Sequence, residues 1–212
     1  KIVLRHPSSL RTISAEGAPA INVALIPANA DVPLTDFAQD LAAGLAAFGQ
    51  VLHLNSARMD QLYGQEGAAQ TPLEEPTAAI LDSWLSEQES RFGYILYVAD
   101  LEWSTWTRRC LRQADRLLIV AHASGDPVPG SMESATEAMA VKARVDLVIL
   151  HPPSVSRPSD THRWLARRRV QAHHHVREGE SAGIQRLVRR LIGRPTGLVL
   201  SGGAARGFRS EE

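Results

Sequence analysis

Ile21-Asn-Val-Ala-Leu-Ile-Pro27, then Ala28-Asn-Ala-Asp-Val-Pro33, then Leu34-Thr-Asp-Phe-Ala-Gln-Asp-Leu-Ala-Ala-Gly-Leu-Ala-Ala-Phe48, is the stretch on which the fold turns. The first segment is short, apolar and partly β-branched, the composition of a strand buried on both faces of a parallel sheet. In the third, Phe37, Leu41, Leu45 and Phe48 recur at spacings of four, four and three. That spacing predicts an amphipathic helix over Leu34–Phe48, stopped at Gly49. A buried strand, a short turn and a helix form the opening unit of an α/β domain.

The pattern repeats outward from there. Strands are expected at Val51–Leu54, Tyr94–Ala99, Arg116–Ala121, Asp146–His151 and Val170–Val176. Between them lie helices at Ala57–Tyr63, Thr77–Arg91, Thr105–Ala114, Ser131–Ala143 and Thr161–Arg168, with an arginine-rich one at Ser181–Ile192. Ile80, Leu81, Trp84 and Leu85 are assigned to one helix face, Ser131 to a cap and Glu133 to the first turn that follows it. Gly64–Pro76 reads as a polar loop. Strict alternation predicts an α/β fold: a mostly parallel, Rossmann-like sheet flanked by helices on both faces in three layers. The domain is placed at residues 21–194. Residues 1–20, mixed Ser, Arg, Ala, Gly and Pro with a short strand at Lys1–Leu4, read as a linker from an upstream segment, and Gly197–Leu200 is strand-like.

Of the 212 residues 44% are hydrophobic and 22% charged, which excludes a disordered chain. No apolar run nears the roughly 20 residues of a membrane-spanning helix, and Lys1–Leu10 lacks a signal-peptide core. The expected location is cytoplasmic or cytosol-facing. The single cysteine, Cys110, excludes an internal disulfide and a thiolate zinc cluster. The formal net charge of zero conceals a division. Residues 1–162 carry 12 basic and 19 acidic side chains; residues 163–194 carry nine arginines against Glu178 and Glu180. The Arg163–Arg194 stretch therefore suits an anionic surface, a solvated helix face or the chain's own acidic part. Nucleic acid is not an expected partner.

The first strand–helix turn is where such domains bind phosphate, using glycines and in many cases a lysine. Residues 28–33 offer neither and place Asp31 where an anion would be repelled, so no nucleotide cofactor is expected there. Asp100, at a strand end, is read as a loop-ordering carboxylate. Ser104 is read as a helix cap between Trp103 and Trp106, which are expected to pack that helix onto the sheet. Cys110 is assigned to the core. His173 and His175 share one strand face and His174 the other, an incomplete metal site even with His151 or His162 added, so no metal is expected.

Leu198-Val-Leu-Ser-Gly-Gly-Ala-Ala-Arg-Gly-Phe208 resembles the glycine-rich opening of patatin-like phospholipases, Gly-Gly-Gly-x-Arg-Gly. Asn22–Phe37, Trp84–Glu89, Leu96-Tyr97, Ala99-Asp100 and Trp106–Asp115 extend this to a narrower likeness, to the bacterial relatives of neuropathy target esterase, covering most of residues 20–208. The order of strand, Asp100, short helix, Gln113-Ala-Asp115 and strand is similar to the MinD/ParA-like nucleotide hydrolases, as a degenerate member without a P-loop.

The resemblance implies a serine hydrolase acting on lysophospholipids or related esters at a membrane surface. It matches Gly202, Gly203, Arg206 and Gly207 to the loop that holds the oxyanion, with Ser201 and Ala204 at positions that are usually glycine. Neither a Gly-x-Ser-x-Gly nucleophile turn nor an Asp-Gly base motif occurs in these 212 residues. The expectation is a non-catalytic regulatory or positioning α/β module with residues 195–212 as the start of a catalytic domain, inactive on its own. The alternatives are a nucleotide or small-molecule sensor, or a hydrolase using Ser201. Phospholipid or lysophospholipid is the implied substrate of the parent enzyme, peripheral at the inner membrane face.

Overall fold

A computed structural model describes residues 20–193. Six strands, β1 (Ile21–Pro27), β2 (Val51–Leu54), β3 (Tyr94–Val98), β4 (Arg116–His122), β5 (Arg144–His151) and β6 (Ala172–Arg177), form one sheet in the order β2-β3-β1-β4-β5-β6. Every pairing is parallel, with Ile21 beside Tyr94 and Val23 beside Arg116 on the two flanks of the central strand. The helices are α1 (Leu34–Ala46), α2 (Ser56–Tyr63), α3 (Pro76–Arg91), α4 (Thr105–Gln113), α5 (Ser131–Ala138), α6 (Thr161–Leu165) and α7 (Ser181–Leu191). A 3-10 turn at Ala68–Gln70 interrupts the expected polar loop.

Alternate strand residues face opposite ways, and each set has its own helices. Val23, Leu25, Leu118, Val120 and Val148 meet Phe37, Leu41 and Leu45 of α1 and Ile184, Leu187 and Val188 of α7. Ala24, Ile26, Tyr97, Leu117, Leu147 and Ile149 meet Met59, Leu81, Leu85, Trp106, Met132 and Trp164 from the other helices. The connection from β1 to β2 runs one way along the sheet under α1; the later ones run the opposite way over the other face, as a constant crossover hand requires. Gly44 lets α1 and α7 approach closely, since a Cβ there would sit 3.0 Å from the Ile184 and Val188 methyls.

Several details differ from the sequence reading. α1 ends two residues early, at Ala46, the Phe48 N–H donates to the Leu45 carbonyl, and Phe48 stays exposed. Ile80 lies 60% exposed while Leu81 and Leu85 are buried, so the α3 stripe is narrower than expected. α5 stops at Ala138 because Ala140 takes a left-handed conformation, and Gly130 rather than Ser131 holds its N-cap position. α6 stops at Leu165, and Arg168 turns into the interior. The linker (residues 1–19) with the strand expected at Lys1–Leu4, the strand at Gly197–Leu200, and Gly202, Gly203, Arg206 and Gly207 lie outside the described residues. Among the described residues no helix is long and apolar enough to cross a membrane.

Candidate functional site

At the C-terminal edge of the sheet the connections leaving β1 and β4 diverge to opposite faces, the place where open α/β sheets bind ligands. Here the β1–α1 turn is tied to β4 and to the connection that follows it. The Ala28 N–H donates to the Val120 carbonyl at 2.7 Å, and the Asn29 amide donates to the Asp126 carbonyl at 3.3 Å. Gly130 lies against the turn so tightly that a Cβ would come within 3.0 Å of the Ala28 carbonyl oxygen.

Two further N–H groups at the turn are engaged within it. Val32 N–H bonds Asn29 O and Leu34 N–H bonds Val32 O, while Pro27 and Pro33 have no N–H to offer. Asp36 occupies the first turn of α1, where a carboxylate complements the positive helix end that would otherwise attract an anion. The turn has no glycine and no lysine, and its charged residues, Asp31 and Asp36, are acidic.

Beside this turn, a crevice of about 740 Å³ lies between the starts of α1 and α2 and the β3–α4 loop. Its floor is organised by Asp100. That carboxylate accepts from Ser56 Oγ at 2.7 Å, Ser104 Oγ at 2.6 Å and Gln70 Nε2 at 2.9 Å. The Asp100 N–H donates to Thr107 Oγ1 at 3.2 Å, and Ser104 caps α4 by accepting the Thr107 N–H. Asp100 thus ties together α2, the 3-10 turn and α4, the ordering role read for it. Trp106 packs against the sheet with its indole N–H on the Val98 carbonyl at 2.9 Å; Trp103 departs from expectation, remaining 39% exposed on the crevice rim beside Leu101.

Cys110 is fully buried, and burial pushes its thiol well above the usual range, so it carries no thiolate chemistry. His151 Nε2 and His175 Nδ1 lie 2.8 Å apart, and Thr161 Oγ1 is 3.2 Å from His175 Nε2. Burial, reinforced by the neighbouring His151, His173 and His174, pushes His175 down to about 4. His174 on the other face meets Asp146 at 3.5 Å. Among the described residues no group of three or more His, Cys, Asp or Glu is arranged around a metal position.

One pair escaped the sequence reading. Glu133 and Arg168, 35 residues apart, form a bidentate ion pair at 2.6 and 2.7 Å with side chains 4% and 3% exposed. Arg168 also donates to the Pro127 and Trp164 carbonyls and stacks over the Trp164 ring at 5.0 Å. The acidic residue in the first turn of α5 was visible in the sequence; its partner was one arginine among a run of three.

A family model described as the Neuropathy Target Esterase family P-loop like domain matches residues 21–192, nearly the whole described fold. The chain belongs to this family. It is 36% identical over 212 residues to neuropathy target esterase sws of Drosophila ananassae, a match covering 87% of this chain and 14% of that protein. Patatin-like phospholipase domain-containing protein 7 of Mus musculus is 36% identical over 211 residues, covering 87% and 15%. The chain thus spans about one seventh of these relatives of the neuropathy target esterase family. Among solved structures, a plasmid partition protein from Borrelia burgdorferi superposes with a TM-score of 0.55 at 10% identity, over 82% of this chain and 99% of that one. That likeness is one of fold, and it agrees with the three-layer parallel architecture.

Proposed function

We propose that this chain is a non-catalytic regulatory or positioning module of a patatin-like serine lysophospholipase or esterase. The observation that carries the reading is the β1–α1 turn: a P-loop-like fold is kept, while the turn that would cradle a phosphate has no glycine or lysine and carries Asp31 and Asp36. What persists is a shaped, charged body joined to other segments. In this reading Gly202, Gly203, Arg206 and Gly207 contribute to the oxyanion-holding loop of the hydrolase, and the nucleophile serine and base aspartate come from sequence beyond these 212 residues. The test is hydrolysis of lysophosphatidylcholine and a short chromogenic ester by this chain and by its parent gene product. Activity in the parent alone is expected; activity in the 212-residue chain, abolished by Ser201→Ala, would overturn the proposal.

The charge distribution supports placing this module peripherally on a cytoplasmic membrane face. Arg116 and Arg144 begin β4 and β5, Arg167 and Arg169 precede β6, and Arg189 and Arg190 end α7. All stand at the N-terminal edge of the sheet, where β1 also starts. Basic groups near an anionic bilayer contribute about 1 kcal/mol each. Co-sedimentation with anionic but not zwitterionic vesicles, lost at high salt, is the expected result; equal binding to both removes the membrane role.

A second reading, a nucleotide or small-molecule sensor, draws on the open crevice around Asp100. Calorimetry with magnesium nucleotides is expected to give neither heat nor thermal shift, and a saturable signal would favour the sensor instead.

A further inference from the structure

A second cavity, of about 540 Å³, opens at the N-terminal edge between α5 and the segment that joins α6 to β6. Its floor is apolar: Leu117 and Ile119 of β4, Val145 of β5, and Val141 and Val170 from the adjoining loops. Its rim is cationic. Arg167, Arg168 and Arg169 pass along it with exposed, buried, exposed side chains. The buried Arg168 is committed to Glu133 and two carbonyls, which fixes the backbone of the run. That anchoring turns the flanking Arg167 and Arg169 outward, and neither has a hydrogen-bond or ion-pair partner among the described residues. Beyond the Glu133–Arg168 pair, Glu137 is the one other acidic lining residue, so two unpaired guanidinium groups stand against one carboxylate. The lip also contains Ala140 at φ 49°, a left-handed conformation that a non-glycine residue holds at a cost.

An apolar slot with guanidinium groups at its mouth matches a ligand with one alkyl chain and one anionic head. Water gains by releasing the chain, and planar guanidinium donors bind carboxylate or phosphate oxygens in pairs. The volume lies within the range of small-molecule sites. We propose that this cavity binds a single-chain anionic amphiphile, its alkyl chain over Val141, Val145 and Val170 and its head on Arg167 and Arg169. The site is independent of whether the parent protein hydrolyses esters, and it stands on the basic edge from which such a molecule would be drawn out of a membrane.

Calorimetric titration of the 212-residue chain with sodium laurate and with dodecyl phosphate, both kept monomeric, is expected to show one saturable site. Either order of affinity upholds the site and assigns its head group. Arg167→Gln/Arg169→Gln removes only exposed groups and is expected to weaken binding at least tenfold; Val141→Trp, filling the slot from a loop, is expected to do the same. Arg189→Gln/Arg190→Gln, with an equal loss of charge away from the cavity, should stay within twofold of the parent chain. Three results would overturn the proposal: no saturable heat, acetate or inorganic phosphate binding as tightly as the amphiphiles, or equal weakening by the Arg189/Arg190 pair.

Discussion

Replacing Arg168 by methionine isolates the energetics of the buried ion pair. The substitution keeps much of the aliphatic volume but removes five donors, leaving Glu133, 4% exposed, facing no counter-charge. It also strips the Pro127 and Trp164 carbonyls of their donor and the Trp164 ring of its cation. Removing one partner of a buried pair costs about 3–5 kcal/mol, whereas replacing both by apolar groups is often near neutral. Arg168→Met is therefore expected to lower stability by about 4 kcal/mol, and Arg168→Met/Glu133→Leu to recover at least half of that loss. The assay is urea unfolding at pH 7 followed by tryptophan fluorescence and circular dichroism, with midpoints compared at unchanged slope. A single-variant loss below about 1 kcal/mol, or a double variant no more stable than the single one, would refute the argument that desolvated Glu133 carries the cost.

Three further outcomes are expected. His175 has its folded-state value pushed to about 4, while in the unfolded chain it titrates near 6.5. Protons therefore bind the unfolded state preferentially between those values, and stability present above pH 6.5 is lost as pH falls toward 4. With allowance for solvent screening this amounts to about 1–2 kcal/mol; urea midpoints at pH 7 and 4.5 should show the loss, and His175→Asn should reduce it. Gly44→Val would drive methyl groups into Ile184 and Val188, lowering stability by about 1–3 kcal/mol on thermal melting. Asp100→Ala leaves Ser56, Ser104 and Gln70 without their shared acceptor. It should cost about 2 kcal/mol and speed amide hydrogen exchange in α2 and the start of α4.

The parallel sheet was legible because β1, β3, β4 and β5 are buried on both faces and so read as apolar runs. β6, Ala-His-His-His-Val-Arg, sits at the sheet edge with its histidines partly exposed, and only the alternation of elements marked it. Helix ends were read less well: the backbone of Ala140 and the inward turn of Arg168 follow from tertiary contacts, not local pattern. The lack of glycine and lysine in the β1–α1 turn was visible in the sequence, but its contacts with Val120, Asp126 and Gly130 involve residues about a hundred positions away. Asp100 could be placed at a strand end from sequence; that Gln70 reaches it from a polar loop had no local signal. The amphiphile cavity was likewise invisible, because its floor comes from β4 and β5 and its rim from a run read as helix.

β6 runs toward the crevice edge and α7 returns from it, so the described fold ends on the side of the sheet where β1 began. Chain that arrives at Ala20 and chain that departs after Gly193 therefore share one side of the body, like the two legs of a clip. A domain mounted in this way adds bulk to a longer polypeptide without adding much to its contour between flanking parts. The close contact at Gly44 joins the helix that follows the chain's entry, α1, to the helix that precedes its exit, α7.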